Sequence, residues 1–166
     1  IGKGPWNDKI IHFLPDKEPS AAGSEIQSEY FVKYENFMPA VKALYNIRNE
    51  FKHLIQVSEF RVMKGCDIPM SPARGVGPTV GFHFTWVRNH NELVRVLPKL
   101  EKELMAFGAR PHFGKLFVLN GNYFQDIYRE DIKGLRDLME KHDPKGKLRN
   151  DYIKQYIYGK DNLGKL

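Results

Sequence analysis

The segment TVGFHFTWV (79–87) constrains this chain more than any other stretch. It is dense in β-branched and aromatic residues, and its side chains alternate in kind. Phe82, Phe84 and Trp86 fall on one side, His83 and Thr85 on the other. A period of two belongs to a strand, so the segment predicts a strand with one aromatic face suited to a core and one polar face. A strand needs neighbours, and the flanking sequence supplies them. EIQSEYFVK (25–33) alternates with Ile26, Ser28, Tyr30 and Val32 on one side. LIQVSEFRVM (54–63) reads as another strand and RPHFGKLFV (110–118) as a short fourth.

Helical spacing fills the gaps between strands. Residues 36–50 place Phe37, Ala40, Val41, Leu44 and Ile47 on one stripe, with Asn36 as the expected cap and Pro39 tolerated in the first turn. A second helix runs from about Asn91 to Phe107 on Leu93, Val96, Leu97, Leu100 and Leu104. Gly108 is its expected stop, and Pro98 is expected to kink or split it. The order strand–helix–strand–strand–helix–strand predicts an α+β fold, a ferredoxin-like antiparallel sheet with helices on one face. Short helices are expected to follow over 123–128, 130–141 and 150–157, and Gly and Pro make 65–78 a loop.

At 166 residues the chain is about one domain. Residues 1–24, rich in Pro, Gly and Ser, read as a lead-in; 25–118 form the sheet domain; 119–166 form a helical segment packed on it. No apolar run approaches the roughly 18–20 residues of a membrane span. The opening IGKGPWNDKI lacks a signal-peptide core and a Met, which suggests entry in mid-chain. Cys66 is the single cysteine, so no internal disulfide forms, and a reducing, cytoplasmic setting is expected. Its place in the loop KGCDIPMSP argues against a nucleophile.

The net charge of +6 requires nucleic acid to be weighed as a partner. Lys141, Lys145, Lys147 and Arg149 crowd a stretch with one acid, Asp143, which reads as a solvated turn or as a basic edge facing an anionic cofactor or neighbouring domain. A ferredoxin-like RNA-binding sheet wants exposed aromatics among basic residues. Here the expected open face carries Glu59 and Thr85 instead, so no nucleic-acid partner is expected. Six histidines occur without HExxH spacing or close carboxylates, and no metal site is expected.

Strand periodicity also places Glu59 and Arg61 on one face of their strand. If that strand pairs with 79–87, Glu59, Arg61, His83 and Thr85 make one polar patch. The plainer reading is a surface ion pair of little energetic weight. RPHFGK (110–115) sets His112 and Lys115 beside Gly114, which permits close backbone approach next to donors and a cation.

Five blocks in order, QSEYFV (27–32), QVSEFR (56–61), GFHFTW (81–86), GARPHFGKLF (108–117) and DPKGKLRNDY (143–152), closely resemble the carboxy-terminal half of the alditol and xylitol oxidases. Those enzymes belong to the vanillyl-alcohol-oxidase flavoprotein superfamily, alongside the aldonolactone oxidases. The resemblance covers about residues 5–158. RPHFGK is similar to that family's R-P-H-W-G-K block, with Phe113 where Trp is usual, and DPKGKLRN to its D-P-x-G-x-F-x-N block, with Leu148 for Phe.

The resemblance implies a substrate-binding domain that covers FAD held elsewhere in the enzyme. No glycine-rich phosphate loop leads into a helix here, so no FAD is expected on this chain alone. It further implies that Glu59, Arg61, His83, Thr85 and Lys115 bind substrate, with Arg61, Lys115 and His83 nearest the chemistry and His112 and Lys115 facing the flavin. The expected reaction is oxidation of a terminal alcohol of a polyol to the aldehyde, with dioxygen reduced to hydrogen peroxide. The expected partners are a polyol or sugar lactone and the FAD-binding domain of the same enzyme. An aldonolactone oxidase and a non-catalytic carbohydrate-binding module are the alternatives.

Overall fold

The computed structural model describes residues 3–5 and 25–159, so the lead-in expected over 1–24 lies almost wholly outside the described residues. Strand β1 (Glu25–Lys33) leads through a tight turn into helix α1 (Phe37–Asn46). Two further short turns bring the chain to β2 (Ile55–Met63), and a long loop to β3 (Thr79–Val87). Helix α2 (His90–Met105) and the short β4 (Arg110–Pro111) complete the sheet unit; α3 (Gly121–Ile127), α4 (Arg129–His142) and a wide helical turn at Ile153–Ile157 follow. The sheet is antiparallel in the order β2-β3-β1-β4. This is the α+β, ferredoxin-like arrangement that the alternation of strand and helix predicts.

Register follows from what each face buries. Tyr30, Phe82 and Phe60 align across β1, β3 and β2, as do Ser28, Phe84 and Ser58. On this face Tyr30, Phe82, Phe84 and Trp86 are buried against Leu93, Leu97, Leu100 and Leu104 of α2 and Ala40 and Leu44 of α1. The same apolar cluster runs on to Phe117, Leu119, Phe124, Tyr156 and Ile157, so the C-terminal helices share the core of the sheet. Burying side chains of this size supplies roughly 1.5–3 kcal/mol each.

Three local expectations are corrected. Asn36 is not a side-chain cap: it belongs to the turn that runs straight into α1, and its side-chain amide donates to the Phe107 carbonyl at 3.4 Å. Pro98 does not split α2, which is continuous over 16 residues. Pro98 lies on the exposed side, where water can satisfy the carbonyl that its missing N–H leaves free. The fourth strand is two residues long instead of nine. Beyond Pro111 the chain makes a turn, Lys115 N–H to His112 carbonyl at 3.1 Å, then rejoins β1 through the Leu116 N–H on the Gln27 carbonyl at 2.9 Å. The stop at Gly108 is as expected, with φ of 68°, a left-handed conformation that glycine adopts at little cost.

Candidate functional site

The sheet face opposite α1 and α2 is built from the other set of alternating residues. Glu29, His83 and Glu59 align across β1, β3 and β2, and the next row is Phe31, Gly81 and Arg61. Thr85 follows His83 by one pleat on β3. Lys115 reaches the same place from the turn after β4, its Nζ donating to Gln27 Oε1 at 2.8 Å. The turn that interrupts β4 therefore swings Lys115 over the end of β1. Glu59, Arg61, His83, Thr85 and Lys115 are thus brought onto one face. His112 stands at its border, with its ring 6.2 Å from that of Phe31 and its Nδ1 accepting the Gly114 N–H at 3.0 Å.

At the centre is a residue that sequence reasoning passed over. Glu29 is 4% exposed, and its carboxylate meets Arg61 Nη1 at 3.3 Å, His83 Nδ1 at 3.3 Å and Lys115 Nζ at 3.5 Å. A buried carboxylate is tolerable only with such partners, because desolvation of an unpaired charge costs several kcal/mol. The signal was present. Gln27, Glu29 and Phe31 form the second face of β1, and Glu29 is the acid in the QSEYFV block. The alternation of Ile26, Ser28, Tyr30 and Val32 drew attention to the core face alone.

Arg61 also grips Glu59 Oε2 with Nη2 at 2.7 Å and Nε at 3.1 Å. That pair is half exposed, as the surface-ion-pair reading expects, and the Arg61 hydrogen bond holds the Glu59 carboxyl below its usual value. The same guanidinium, however, reaches down to the buried Glu29, which a surface pair has no need to do. The face is not uniformly open. His83 is 3% exposed and Thr85 is buried, while Arg61 and Glu59 remain accessible. Short side chains on a pleated sheet are shielded by longer neighbours, and Arg61 and Lys115 extend over this row. Burial pushes the His83 imidazole below its ordinary value; its hydrogen bond to Glu29 opposes this, and the Arg61 and Lys115 charges add to it.

The arrangement offers two cations, one accessible carboxylate, a hydroxyl and a neutral imidazole within a few ångströms. That set can hold a neutral, multiply hydroxylated molecule and stabilise negative charge on one of its oxygens. A cavity of about 700 Å³ lies elsewhere. Met70, Phe113, Leu135, Leu138 and Ile157 make it apolar, and none of the five residues lines it. Among the described residues no group of three His, Cys, Asp or Glu is placed to hold a metal ion, and no helix is long and apolar enough to cross a membrane. The basic stretch near residue 145 is a folded turn. Asp143 accepts the Lys147 and Leu148 N–H groups at 2.8 and 2.9 Å, and Arg149 pairs with Glu140 at 3.0 Å.

Comparison with known proteins places this geometry in context. The family model described as D-arabinono-1,4-lactone oxidase matches residues 22–156. The alditol oxidase of Streptomyces sp. (strain IKD472 / FERM P-14339) is 32% identical over 156 residues, which cover 94% of this chain. The matched stretch spans 37% of that relative's length.

Proposed function

Because this chain belongs to the D-arabinono-1,4-lactone oxidase family, we propose that it is the substrate-binding part of an FAD-dependent oxidase acting on the terminal alcohol of a polyol. The observation that carries the reading is the convergence of Glu59, Arg61, His83, Thr85 and Lys115 on one sheet face around Glu29. A polyol is neutral and rich in hydroxyls, each of which wants a partner when it leaves water. Glu59 accepts from hydroxyls. Arg61 and Lys115 donate to the reacting oxygen and stabilise alkoxide character as it loses its proton. His83, neutral at the centre, orients that hydroxyl or takes its proton, and Thr85 meets a hydroxyl farther along.

The donor set fits the ring of a flavin better than its phosphates. Lys115 and His112 border the face, and among the described residues no glycine-rich loop leads into a helix to cradle a pyrophosphate. When bound, FAD supplies the two-electron oxidation, with dioxygen as final acceptor and hydrogen peroxide as product. This chain contributes binding, orientation and charge. The FAD-binding remainder of the enzyme is its expected partner.

A lactone is the second reading, favoured by the description of the matching family. A lactone presents a ring carbonyl and fewer hydroxyl donors, and it makes less use of an accessible carboxylate such as Glu59. The test is peroxide production by the full-length protein from xylitol or sorbitol and from a 1,4-lactone at equal concentration. Faster turnover of the polyol is expected. Faster turnover of the lactone would transfer the protein to the second reading.

A further inference from the structure

We propose that Glu29 is a positioning residue that holds His83 in the tautomer protonated at Nδ1, so that the Nε2 lone pair faces Thr85 and the bound alcohol. This rests on the reading of the sheet face as the alcohol site. Its foundation is geometric. Glu29 and His83 are directly opposed in the β1–β3 register. Glu29 Oε2 lies 3.3 Å from His83 Nδ1, and both residues are withdrawn from water. A carboxylate only accepts, so the Nδ1 atom facing it carries the proton. In a neutral ring Nε2 is then unprotonated, and 3.4 Å from it lies the Thr85 hydroxyl, able to donate to it. A neutral imidazole has one acceptor nitrogen, and which one is set by the hydrogen bond that the other makes.

The charges around the ring support a neutral imidazole. Facing it are Glu29 from β1, Glu59 and Arg61 from β2, and Lys115 from the turn after β4. Two carboxylates and two cations balance, so a proton added to His83 leaves the cluster with excess positive charge. Glu29 acts in this balance twice. It accepts from His83, and it anchors both cations, Arg61 at 3.3 Å and Lys115 at 3.5 Å, at the oxygen they are to stabilise. Gly81 keeps the space for it: a Cβ there would stand 3.0 Å from Glu29 Oε1. A carboxylate that merely balanced charge could sit anywhere near the cations. One aligned with a histidine nitrogen also selects a tautomer.

The experiment is nitrogen-detected NMR of the histidine rings in this 166-residue chain, with Glu29→Gln and Glu29→Asp beside it. In the unaltered chain above neutral pH, His83 should show a protonated Nδ1 and a pyridine-type Nε2. Glu29→Gln, whose amide can donate to Nδ1, should lose the single Nδ1–H state and move the His83 titration to lower pH. Glu29→Asp should restore the Nδ1–H state at least in part. A His83 protonated at Nε2 in the unaltered chain overturns the proposal without any variant, as does an unchanged tautomer and titration in Glu29→Gln. If Glu29→Gln does not fold, the spectrum of the unaltered chain still decides. Substrate turnover does not enter this measurement, so a protein that shows the tautomer and yet releases no peroxide from polyols would refute the proposed activity while the Glu29 assignment stands.

Discussion

The hydroxyl of Tyr30 donates to Oε1 of Glu101 at 2.6 Å, and the same oxygen accepts the Val118 N–H at 2.8 Å. One buried carboxyl of α2 thereby ties β1 to the segment beyond β4. Burial raises the Glu101 carboxyl to about 7, against the pull of both hydrogen bonds. A carboxyl whose folded value lies above its unfolded one stabilises the fold fully below the unfolded value near 4.5, and that contribution is lost as pH rises through about 7. The swing is on the order of 3 kcal/mol. The chain should therefore be harder to unfold in urea at pH 5 than at pH 8. Glu101→Gln, which keeps an acceptor for both donors, should flatten that difference. An equal pH dependence in both proteins would refute the assignment.

Arg61 and Lys115 each donate a charge-assisted hydrogen bond to the reacting oxygen in the proposed reaction. In the full-length protein, Arg61→Ala or Lys115→Ala should lower kcat/KM for that reaction by roughly 10²-fold or more. Thr85→Ala should act mainly on affinity, by about 1 kcal/mol, because it meets a hydroxyl away from the reacting carbon. Steady-state peroxide assays separate the two effects. A Thr85→Ala loss as large as that of Arg61→Ala would exchange their roles.

Gly81 sits in the row between Phe31 and Arg61, and a Cβ there meets Glu29 Oε1 and the Phe31 ring, each at 3.0 Å. Neither neighbour gives way freely, since both are buried. Gly81→Ala should cost about 1–3 kcal/mol of stability, as overpacking does, and should shift the His83 ring resonances as Glu29 moves. Thermal melts and the same histidine spectra check both. Wild-type resonances in a folded Gly81→Ala protein would show that Glu29 does not need this space.

Purified alone, the chain should be colourless. In the proposed reading its residues meet the flavin ring alone: among the described residues no glycine-rich loop leads into a helix, and the match covers only 37% of the related oxidase. An absorption spectrum after incubation with FAD and gel filtration is the check. Stoichiometric yellow flavin travelling with the chain would contradict the expectation.

Sequence alone determined which residues share a face. The alternation in TVGFHFTWV puts His83 and Thr85 opposite Phe82, Phe84 and Trp86, and the same rule joins Glu59 to Arg61. It holds because side-chain direction in a strand is a local property with a period of two. Element order was legible for a similar reason, since Gly108, the leucine stripe of α2 and the β-branched strands each act over a few residues.

Tertiary structure alone decided who meets whom. Register across strands is non-local, and a slip of one residue would have turned Glu29 into the core in place of Tyr30. The pairing of Glu29 with both His83 and Arg61 follows from two separate registers and from the missing side chain at Gly81. The interruption of β4 after Pro111 depends on the His112–Lys115 turn and its hydrogen bonds, and it is that turn that delivers Lys115 to the site. The period of a strand names the faces, while the packing of the aromatic face fixes the register and so composes the polar one.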